Sequence, residues 1–162
     1  AETYEIDDED ENDFDELSGF FNGNVSDDIL KKMLEAGINI EFMESQDIDD
    51  EELLEDIFVA ADDELDFESN NIEINKDTIL RIIDGINNNY IFYEADDEED
   101  FGYNVFENIT GVDGYALPPE IKYNIDFLTI AGDVLISNID KYFVGNSGKV
   151  INTEEFFDIA KK

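Results

Sequence analysis

The sequence predicts an α+β protein of two or three small modules, in which helices cover short mixed or antiparallel sheets and the surface is elongated and acidic. Apolar residues recur at helical spacing in several segments, and shorter segments alternate between apolar and polar residues. The 162 residues are 42% hydrophobic and include 13 Phe and 7 Tyr, enough for a packed core. We expect an N-terminal acidic α/β module at residues 1–70, a central acidic helical module at 71–115 and a C-terminal α+β module at 116–162.

The N-terminal module begins with ten acids in its first sixteen residues. Such a segment is typical of a disordered acidic tail, but its interspersed apolar residues favour a strand or loop that packs. Ser26 then caps a helix that ends at Gly37. Alternation over residues 38–42 predicts a strand with one buried face. A second helix is expected over residues 50–61, with an outer face formed by Glu51, Glu52, Glu55 and Asp56.

The central module starts with a strand at Ile72–Ile74, after an acidic loop over residues 62–71. Asn75 should cap a helix whose buried side includes Leu80 and which ends at Gly85. A strand is expected from Tyr90. Five consecutive acids then open a helix that ends at Gly111, and its apolar positions are Phe101, Val105, Phe106 and Ile109.

The C-terminal module should begin with a helix at Pro118 and Pro119, because proline is favoured in the first helical turn. An inward stripe of Ile121, Ile125 and Leu128 predicts that this helix continues to Gly132, and a strand is expected over residues 134–139. Two apolar segments flank GNSG and predict a hairpin of residues 142–144 and 149–151. Thr153 should cap a short terminal helix.

The large negative net charge is the feature of this sequence that bears most directly on function. Acids number 45 and bases 9, which gives a net charge of −36, whereas a small soluble domain typically carries a magnitude of about 2–8. Residues 1–100 have a net charge of −32, and no Lys or Arg lies between Arg81 and Lys122. Such a field repels nucleic acid and anionic membranes and speeds encounter with basic surfaces. We therefore expect a cationic protein partner, and neither nucleic acid nor membrane.

Several classes of function are disfavoured by what the sequence lacks. Without Cys or His, disulfides, thiolate zinc sites, cysteine nucleophiles and the commonest general base are excluded. No phosphate-binding glycine loop is present, and paired carboxylates carry little information among 45 acids, so we do not expect an enzyme. No apolar run reaches the roughly 18–20 residues of a membrane span, and the N-terminal residues are acidic rather than signal-like. The expected location is the cytoplasm.

Two acidic segments have closely spaced oxygen-bearing side chains like those in the calcium loop of EF-hands. One contains Asp8, Asp10 and Asn12, and the other contains Asp47, Asp49 and Glu51. Neither has glycine at loop position six or glutamate at position twelve, which the EF-hand requires. The sequence therefore predicts neither a metal site nor a cofactor.

Spacing between carboxylates suggests imitation of duplex DNA, which presents one negative charge per roughly 1.7 Å of axis. Neighbours at i+3 or i+4 on a helix have Cβ atoms about 5–6 Å apart, and alternate strand residues lie about 6.6 Å apart. We predict an inhibitor that occupies the DNA-binding groove of a restriction-modification or other DNA-binding enzyme. The candidate partner-binding residues are Asp49, Asp50, Glu51, Glu52, Glu55, Asp56, Asp62, Asp63, Glu64, Asp66, Glu68, Asp96, Asp97, Glu98, Glu99 and Asp100.

Three other interpretations remain open from the residues alone. The protein could be an immunity-type inhibitor of a toxin nuclease that matches a basic active site without DNA-like geometry. It could also be an acidic chaperone or sequestering module for basic proteins such as histones. Finally, the acids could form a coat for solubility or high salt, although a coat should be spread more evenly along the chain than this charge is.

A family resemblance lies in Tyr123–Ser137. Its Ile125-Asp126-Phe127, followed by Asp133-Val134, resembles a segment of ArdA-type antirestriction proteins. The helix ending in Thr-Gly at position 111 and the ELSGFF segment at residues 16–21 are also similar to that family. The family's tryptophan and proline after the early glycine are absent, and Gly132 stands where arginine is usual.

This resemblance implies an elongated protein of small α/β modules, carried by phages or mobile elements to evade host defence. Such a protein imitates bent DNA and blocks type I restriction and modification enzymes. The resemblance also places Asp126 and Asp133 in a segment tied to antirestriction activity and to the contact of a homodimer. Two facing carboxylates would repel one another at a symmetric contact, so we expect the attraction there to come from Leu128, Ile130 and Val134.

Overall fold

The structure, a computed structural model, describes residues 8–88 and 93–161. Within these residues, nine α-helices and one three-stranded antiparallel sheet form a small α+β fold, which confirms the predicted class. The helices are α1 Asp8–Phe20, α2 Asp27–Glu35, α3 Ile40–Glu44, α4 Glu51–Val59, α5 Lys76–Asn88, α6 Glu98–Thr110, α7 Pro119–Lys122, α8 Phe127–Ser137 and α9 Thr153–Ala160. The strands are β1 Tyr93–Ala95, β2 Tyr142–Val144 and β3 Val150–Asn152.

The chain forms two compact units. Unit 1 comprises Ala1–Asn89 and Ile159–Lys162, and unit 2 comprises Tyr90–Asp158. Unit 1 therefore contains α1–α5, and unit 2 contains the sheet, α6–α8 and most of α9. This division does not coincide with the predicted boundaries near Asn70 and Tyr115, because α5 belongs to unit 1 and α6 belongs with the sheet.

Unit 1 is a helical unit with a core of aliphatic and aromatic side chains. The ring of Phe58 on α4 lies 5.9 Å from the ring of Phe21 and 6.0 Å from that of Phe67, measured between centroids. Ser26 caps α2 by accepting a hydrogen bond from the Ile29 N–H, as predicted. Asp50 caps α4 in the same way, through the Leu53 N–H at 3.0 Å. Both predicted helices are confirmed.

In three segments of unit 1 the predicted type of secondary structure is wrong. The acidic N-terminal segment is not a strand or loop from residue 8 onward but the helix α1, and the prediction for residues 1–7 lies outside the described residues. The strand expected at 38–42 is replaced by α3, since the Asn39 Oδ1 accepts the Phe42 N–H at 2.9 Å and starts a helical turn. No strand forms at 72–74, where the Ile72 N–H donates at 2.8 Å to the carbonyl of Phe67 in the preceding turn.

Helix α5 is capped by Asn75, whose Oδ1 accepts the Thr78 N–H at 2.9 Å, as predicted. It does not end at Gly85, which is buried inside the helix, and Leu80 is 40% exposed rather than buried. Arg81 on α5 anchors Ala160, the last residue of α9, within unit 1. Its Nη2 donates to Thr78 Oγ1 at 3.1 Å and to the Ala160 carbonyl at 3.0 Å.

The sheet of unit 2 has the order β1-β3-β2, with both pairs antiparallel. The hairpin expected around GNSG is confirmed as β2 and β3. The strand expected from Tyr90 is described only from Tyr93, because residues 89–92 lie outside the described part of the chain. A core cluster beside the sheet consists of Ala95, Phe101, Ala131 and Val150, with Val105, Val134, Leu135 and Tyr142 packed against it.

Helix α6 begins after Asp97, which caps it, and ends at Gly111 in the left-handed conformation (φ 74°), as predicted. It packs very closely against the start of α8 at Gly102. A Cβ atom at this position would lie 1.8 Å from the Phe127 carbonyl oxygen. Ile109, expected on the buried face, is 75% exposed because the last turn of α6 projects beyond the core.

The C-terminal helix prediction is wrong in its boundaries. The chain leaves the helical path after α7 and restarts at α8, since Asp126 caps a new helix by accepting the Thr129 N–H at 3.0 Å. Ile121 and Leu128, expected to face inward, are each 51% exposed. The strand expected at 134–139 is largely the second half of α8. Helix α9 starts at Thr153, but its cap is Asn152, whose Oδ1 accepts the Glu155 N–H.

Candidate acidic interface

Both units carry the excess of acids. Unit 1 has 30 acids and 6 bases and unit 2 has 15 acids and 3 bases, so their net charges are −24 and −12. Three of the lysines lie over aromatic rings: Lys76 over Phe42, Lys122 over Tyr103 and Lys141 over Tyr142. The predicted residues 49–68 lie in unit 1, and the predicted residues 96–133 lie in unit 2.

The start of α4 presents the first group of predicted acids. Asp49, Glu51 and Glu52 are exposed, and Asp50 is the half-buried cap. Carboxylates in this position are stabilised by the positive end of the helix dipole. The prediction for Asp56 is wrong. It is only 1% exposed, because α4 is buried over more than half of its circumference, and it cannot contact a partner.

Glu55 is half-buried and held by two asparagines of the loop between α1 and α2. Its Oε1 accepts a hydrogen bond from the Asn22 amide at 2.6 Å, and its Oε2 accepts one from the Asn24 amide at 3.4 Å. These two hydrogen bonds fix the position of the Glu55 carboxylate on this side of unit 1.

The segment Asp62–Glu68, here called the acidic turn, holds the second group. Asp62, Asp63, Glu64 and Glu68 are exposed, and Asp66 is half-buried with a left-handed backbone (φ 41°). Aspartate is among the few residue types besides glycine that tolerate this conformation.

Backbone hydrogen bonds fix both ends of the acidic turn. The Leu65 N–H donates to the Ala60 carbonyl at 2.9 Å, and the Phe67 N–H donates to the Ala61 carbonyl at 2.8 Å. The Asn70 amide donates to the carbonyls of Leu65 and Asp66, both at 3.0 Å. The acidic turn therefore presents its carboxylates from an ordered backbone and is not a flexible acidic loop.

Crowding within the acidic turn changes the titration of Glu64. The pKa of Glu64 is raised, first by a side-chain hydrogen bond with the Asp63 carboxyl, then by desolvation and by the charges of Asp63 and Asp62. Two carboxylates that share a site cannot both ionise freely. As the pH falls, Glu64 is therefore expected to protonate ahead of an ordinary glutamate.

A groove in unit 1 runs beside the acidic turn and has a volume of about 440 Å³. Its lining includes the apolar residues Ile29, Ala36, Ala61, Phe67, Ile72 and Ile74. Its charged lining residues are Glu35, Asp62, Asp66, Glu68, Glu73 and Lys32. Sequence reasoning did not find Glu35 or Glu73, because only the folding of unit 1 brings the end of α2 and residues 72–74 beside the acidic turn.

In unit 2, the predicted acids gather at the start of α6. Asp96, Asp97 and Glu99 are exposed, whereas Glu98 and Asp100 are half-buried. Asp97 accepts the Asp100 N–H at 2.7 Å and so caps the helix. Capping and the helix dipole account for one or two of these acids, which leaves an excess of exposed negative charge at this end of the helix.

Asp126 and Asp133 both belong to α8, at its N-cap and in its exposed middle. The pKa of Asp126 is lowered, first by the Thr129 N–H and next by the Thr129 hydroxyl, which donates at 2.8 Å. Asp126 therefore has a structural role as a cap. Among the apolar neighbours expected at a dimer contact, Leu128 is exposed and Ile130 is half-buried, while Val134 packs against the core cluster.

An aromatic stack in unit 2 was not predicted. The Tyr103 ring lies between those of Tyr115 and Phe127, 3.8 Å from each centroid and within 12° of parallel to both. Lys122 Nζ lies 5.7 Å from the centroids of both tyrosine rings. Beside the stack, a cavity of about 270 Å³ is also lined by Glu99 of α6, Lys122 of α7 and Leu128 of α8, and by Tyr123, Ile125 and Asp126 between α7 and α8. The three aromatic residues are too widely separated in sequence for periodicity to join them.

No group of three or more His, Cys, Asp or Glu side chains in residues 8–88 and 93–161 is arranged to hold a metal ion. Over the same ranges, no helix combines the length and apolarity needed to cross a membrane.

Comparisons with protein families, with curated proteins and with solved structures found no significant match.

Proposed function

We propose that this protein is a stoichiometric inhibitor that imitates duplex DNA and occupies the DNA-binding groove of a restriction-modification or other DNA-binding enzyme. The proposal rests chiefly on the ordered backbone that carries the exposed carboxylates. The acidic turn is fixed by backbone hydrogen bonds at both ends, and the acids of residues 96–100 surround a capped helix start. Carboxylates on an ordered backbone lose less conformational entropy on binding than those of a loose acidic tail.

Electrostatics supplies the physical basis for such inhibition. A net charge of −36 raises the rate of encounter with a basic groove and repels the DNA that competes for it. An inhibitor of this kind needs no cofactor and no catalytic residue, and its partner is a basic protein surface. The resemblance to ArdA-type proteins makes a type I restriction-modification enzyme the first target to test.

Competition with DNA tests this function. A purified type I enzyme is bound to a fluorescent duplex that carries its recognition site, and the protein is then titrated in. We expect one molar equivalent per DNA-binding site to release the duplex. A complex of enzyme and protein that still bound the duplex with full affinity would contradict mimicry. Capture of many unrelated basic proteins with similar affinity would instead indicate a sequestering module.

Variants can separate the effect of the predicted partner-binding acids from the effect of total charge. One variant replaces Glu51, Glu52, Glu98 and Glu99 together by glutamine. The control replaces Glu41, Glu44, Glu107 and Glu154, which are exposed acids outside the predicted set. Both variants lose four charges, two from each unit. We expect the first to weaken inhibition by about tenfold, or about 1.4 kcal/mol, and the control by less than threefold. Equal losses would mean that only total charge matters.

We also propose a homodimer through the exposed apolar face of α8. Of ten large apolar side chains exposed among the described residues, nine lie in unit 2, and those on α8 are Leu128 at 51% and Ile136 at 79%. Replacing both by aspartate should convert a dimer to a folded monomer in size-exclusion chromatography, whereas Leu80→Asp in unit 1 should leave elution unchanged. A parent protein that elutes as a monomer at about 50 µM would contradict the dimer. Val134→Asp is unsuitable, since Val134 packs on the core.

A further inference from the structure

The groove of unit 1 has two surfaces of opposite chemistry. Its floor is apolar, and Ile29, Ala61, Phe67 and Ile72 in it are each no more than 5% exposed. Five carboxylates and a single ammonium group, that of Lys32, complete the lining. With a local charge of −4, the groove disfavours anions, and its floor gives an isolated metal ion no ligands.

Backbone hydrogen bonds join the residues that form the floor of the groove. The Ile72 N–H donates to the Phe67 carbonyl and the Phe67 N–H donates to the Ala61 carbonyl, each at 2.8 Å, which ties three floor residues together. Phe67 also packs against Phe58 in the core. A volume of about 440 Å³ lies within the range of about 300–1,000 Å³ typical of ligand pockets.

A ligand that satisfies both surfaces needs a cationic head and an apolar stem. Arginine and lysine side chains have this form, because their methylene groups can cover apolar surface while the charged head stays among carboxylates. Arginine fits better, since its planar fork donates two parallel hydrogen bonds to a carboxylate and is more weakly hydrated than an ammonium. With a volume of about 440 Å³, the groove has room for a neighbouring apolar side chain as well.

We propose that this groove binds an arginine, together with an adjacent apolar residue, from a basic segment of the partner protein. The inference rests on the proposed function for the identity of that partner, because a DNA-binding groove is rich in arginine. The exposed acids attract the partner from a distance, whereas the groove holds one of its side chains at contact. Part of the binding at the groove therefore comes from apolar burial, which salt does not screen.

Peptide binding tests the proposal without the target enzyme. The probe is a blocked five-residue peptide in which arginine alternates with leucine, and the control peptide has serine in place of leucine at the same charge. Binding to the full chain is followed by NMR. We expect amide shifts concentrated in residues 61–74 and an affinity for the leucine peptide at least fivefold higher than for the serine peptide.

Matched variants localise the site. The double variant E68Q/E73Q removes two rim charges, and E41Q/E44Q removes two exposed charges of α3 in the same unit. We expect the first to weaken binding of the leucine peptide by about fivefold and the second by less than twofold. Equal affinities of the two peptides, or equal losses in the two variants, would overturn the groove as a binding site.

The groove and the proposed function can fail separately. If the leucine peptide binds the groove but the protein does not displace DNA from the enzyme, the groove stands and mimicry fails. The protein could instead displace DNA while the leucine peptide does not bind in the groove and E68Q/E73Q inhibits as well as the parent. In that case mimicry stands and the groove proposal is overturned.

Discussion

Replacing Gly102 by alanine is expected to destabilise unit 2 by about 3 kcal/mol or more, at or above the upper end of the usual cost of overpacking a core. The added Cβ would lie 1.8 Å from the carbonyl oxygen of Phe127 and 2.7 Å from its carbonyl carbon. Both are backbone atoms, so no side chain can rotate away to make room. The two helices α6 and α8 must separate, and this would also disturb the stack of Tyr103 on Phe127.

Gly132→Ala is the matched control, since Gly132 lies on α8 and a Cβ there meets no atom within 4 Å. Alanine should stabilise the helix by up to about 1 kcal/mol, because glycine loses more backbone freedom on folding. Six of the seven tyrosines lie in unit 2, so near-ultraviolet circular dichroism during urea unfolding follows that unit. An unchanged midpoint for Gly102→Ala would contradict the close approach of α6 and α8.

Helices with complete local signals could be predicted from the sequence. For α2, α4 and α6, a capping side chain, acids in the first turn and an apolar stripe agree with one another. The hairpin of β2 and β3 was similarly marked by turn residues between two apolar segments. In each case, all the information lies within about fifteen residues, so no distant contact was needed to decide the structure.

Segments whose local signals conflict could not be predicted. Residues 38–42 alternate like a strand, but a five-residue alternation is weak, and the Asn39 side chain satisfies the Phe42 N–H and starts a helix instead. In the same way, the Asp126 side chain accepts the Thr129 N–H and starts α8, which divides the expected helix in two. Asparagine and aspartate bond to nearby backbone N–H groups, and a sequence pattern does not show which of them will do so.

The candidate site shows the same limit. Exposed acids such as Glu52 and Glu99 are where helix periodicity puts them. Periodicity also put Asp56 at the surface, and it is buried because α4 is covered on more than one side, which depends on contacts distant in sequence. The groove brings Glu35 and Glu73 beside the acidic turn for the same reason. Composition therefore predicts that an acidic surface exists, but only the fold shows which acids share it.

Mild acid should stabilise the protein before strong acid unfolds it. The pKa of Glu64 is raised chiefly by its hydrogen bond with Asp63, and that of Glu155 is raised chiefly by burial. A raised folded-state pKa means that folding takes up protons, so stability increases as the pH falls through that value. Asp126 acts in the opposite sense, because its pKa is lowered and its contribution is lost as the pH falls through the lowered value.

Added salt is expected to increase the stability of the fold and to weaken binding to the enzyme. A net charge of −36 destabilises the compact state through self-repulsion, and the screening length falls from about 30 Å at 0.01 M salt to about 3 Å at 1 M. If screening recovers about 2 kcal/mol between 20 and 500 mM NaCl, the melting temperature should rise by about 4–8 °C, since each kcal/mol shifts it by about 2–4 °C in chains of this size.

Over the same range of salt, binding to the enzyme should weaken by about 100-fold, because electrostatic steering can raise association rates from about 10⁶ to above 10⁸ M⁻¹s⁻¹ at low salt. Calorimetry gives the melting temperature, and the DNA competition assay gives the affinity. An acidic coat for solubility or high salt would show the rise in melting temperature without a specific complex to weaken. The control variant with Glu41, Glu44, Glu107 and Glu154 replaced by glutamine should melt above the parent at 20 mM NaCl and close to it at 500 mM, because it has four fewer repelling charges and salt screens that repulsion. A melting temperature that falls with salt would show that attractive charge pairs, rather than repulsion among the 45 acids, control the stability of this fold.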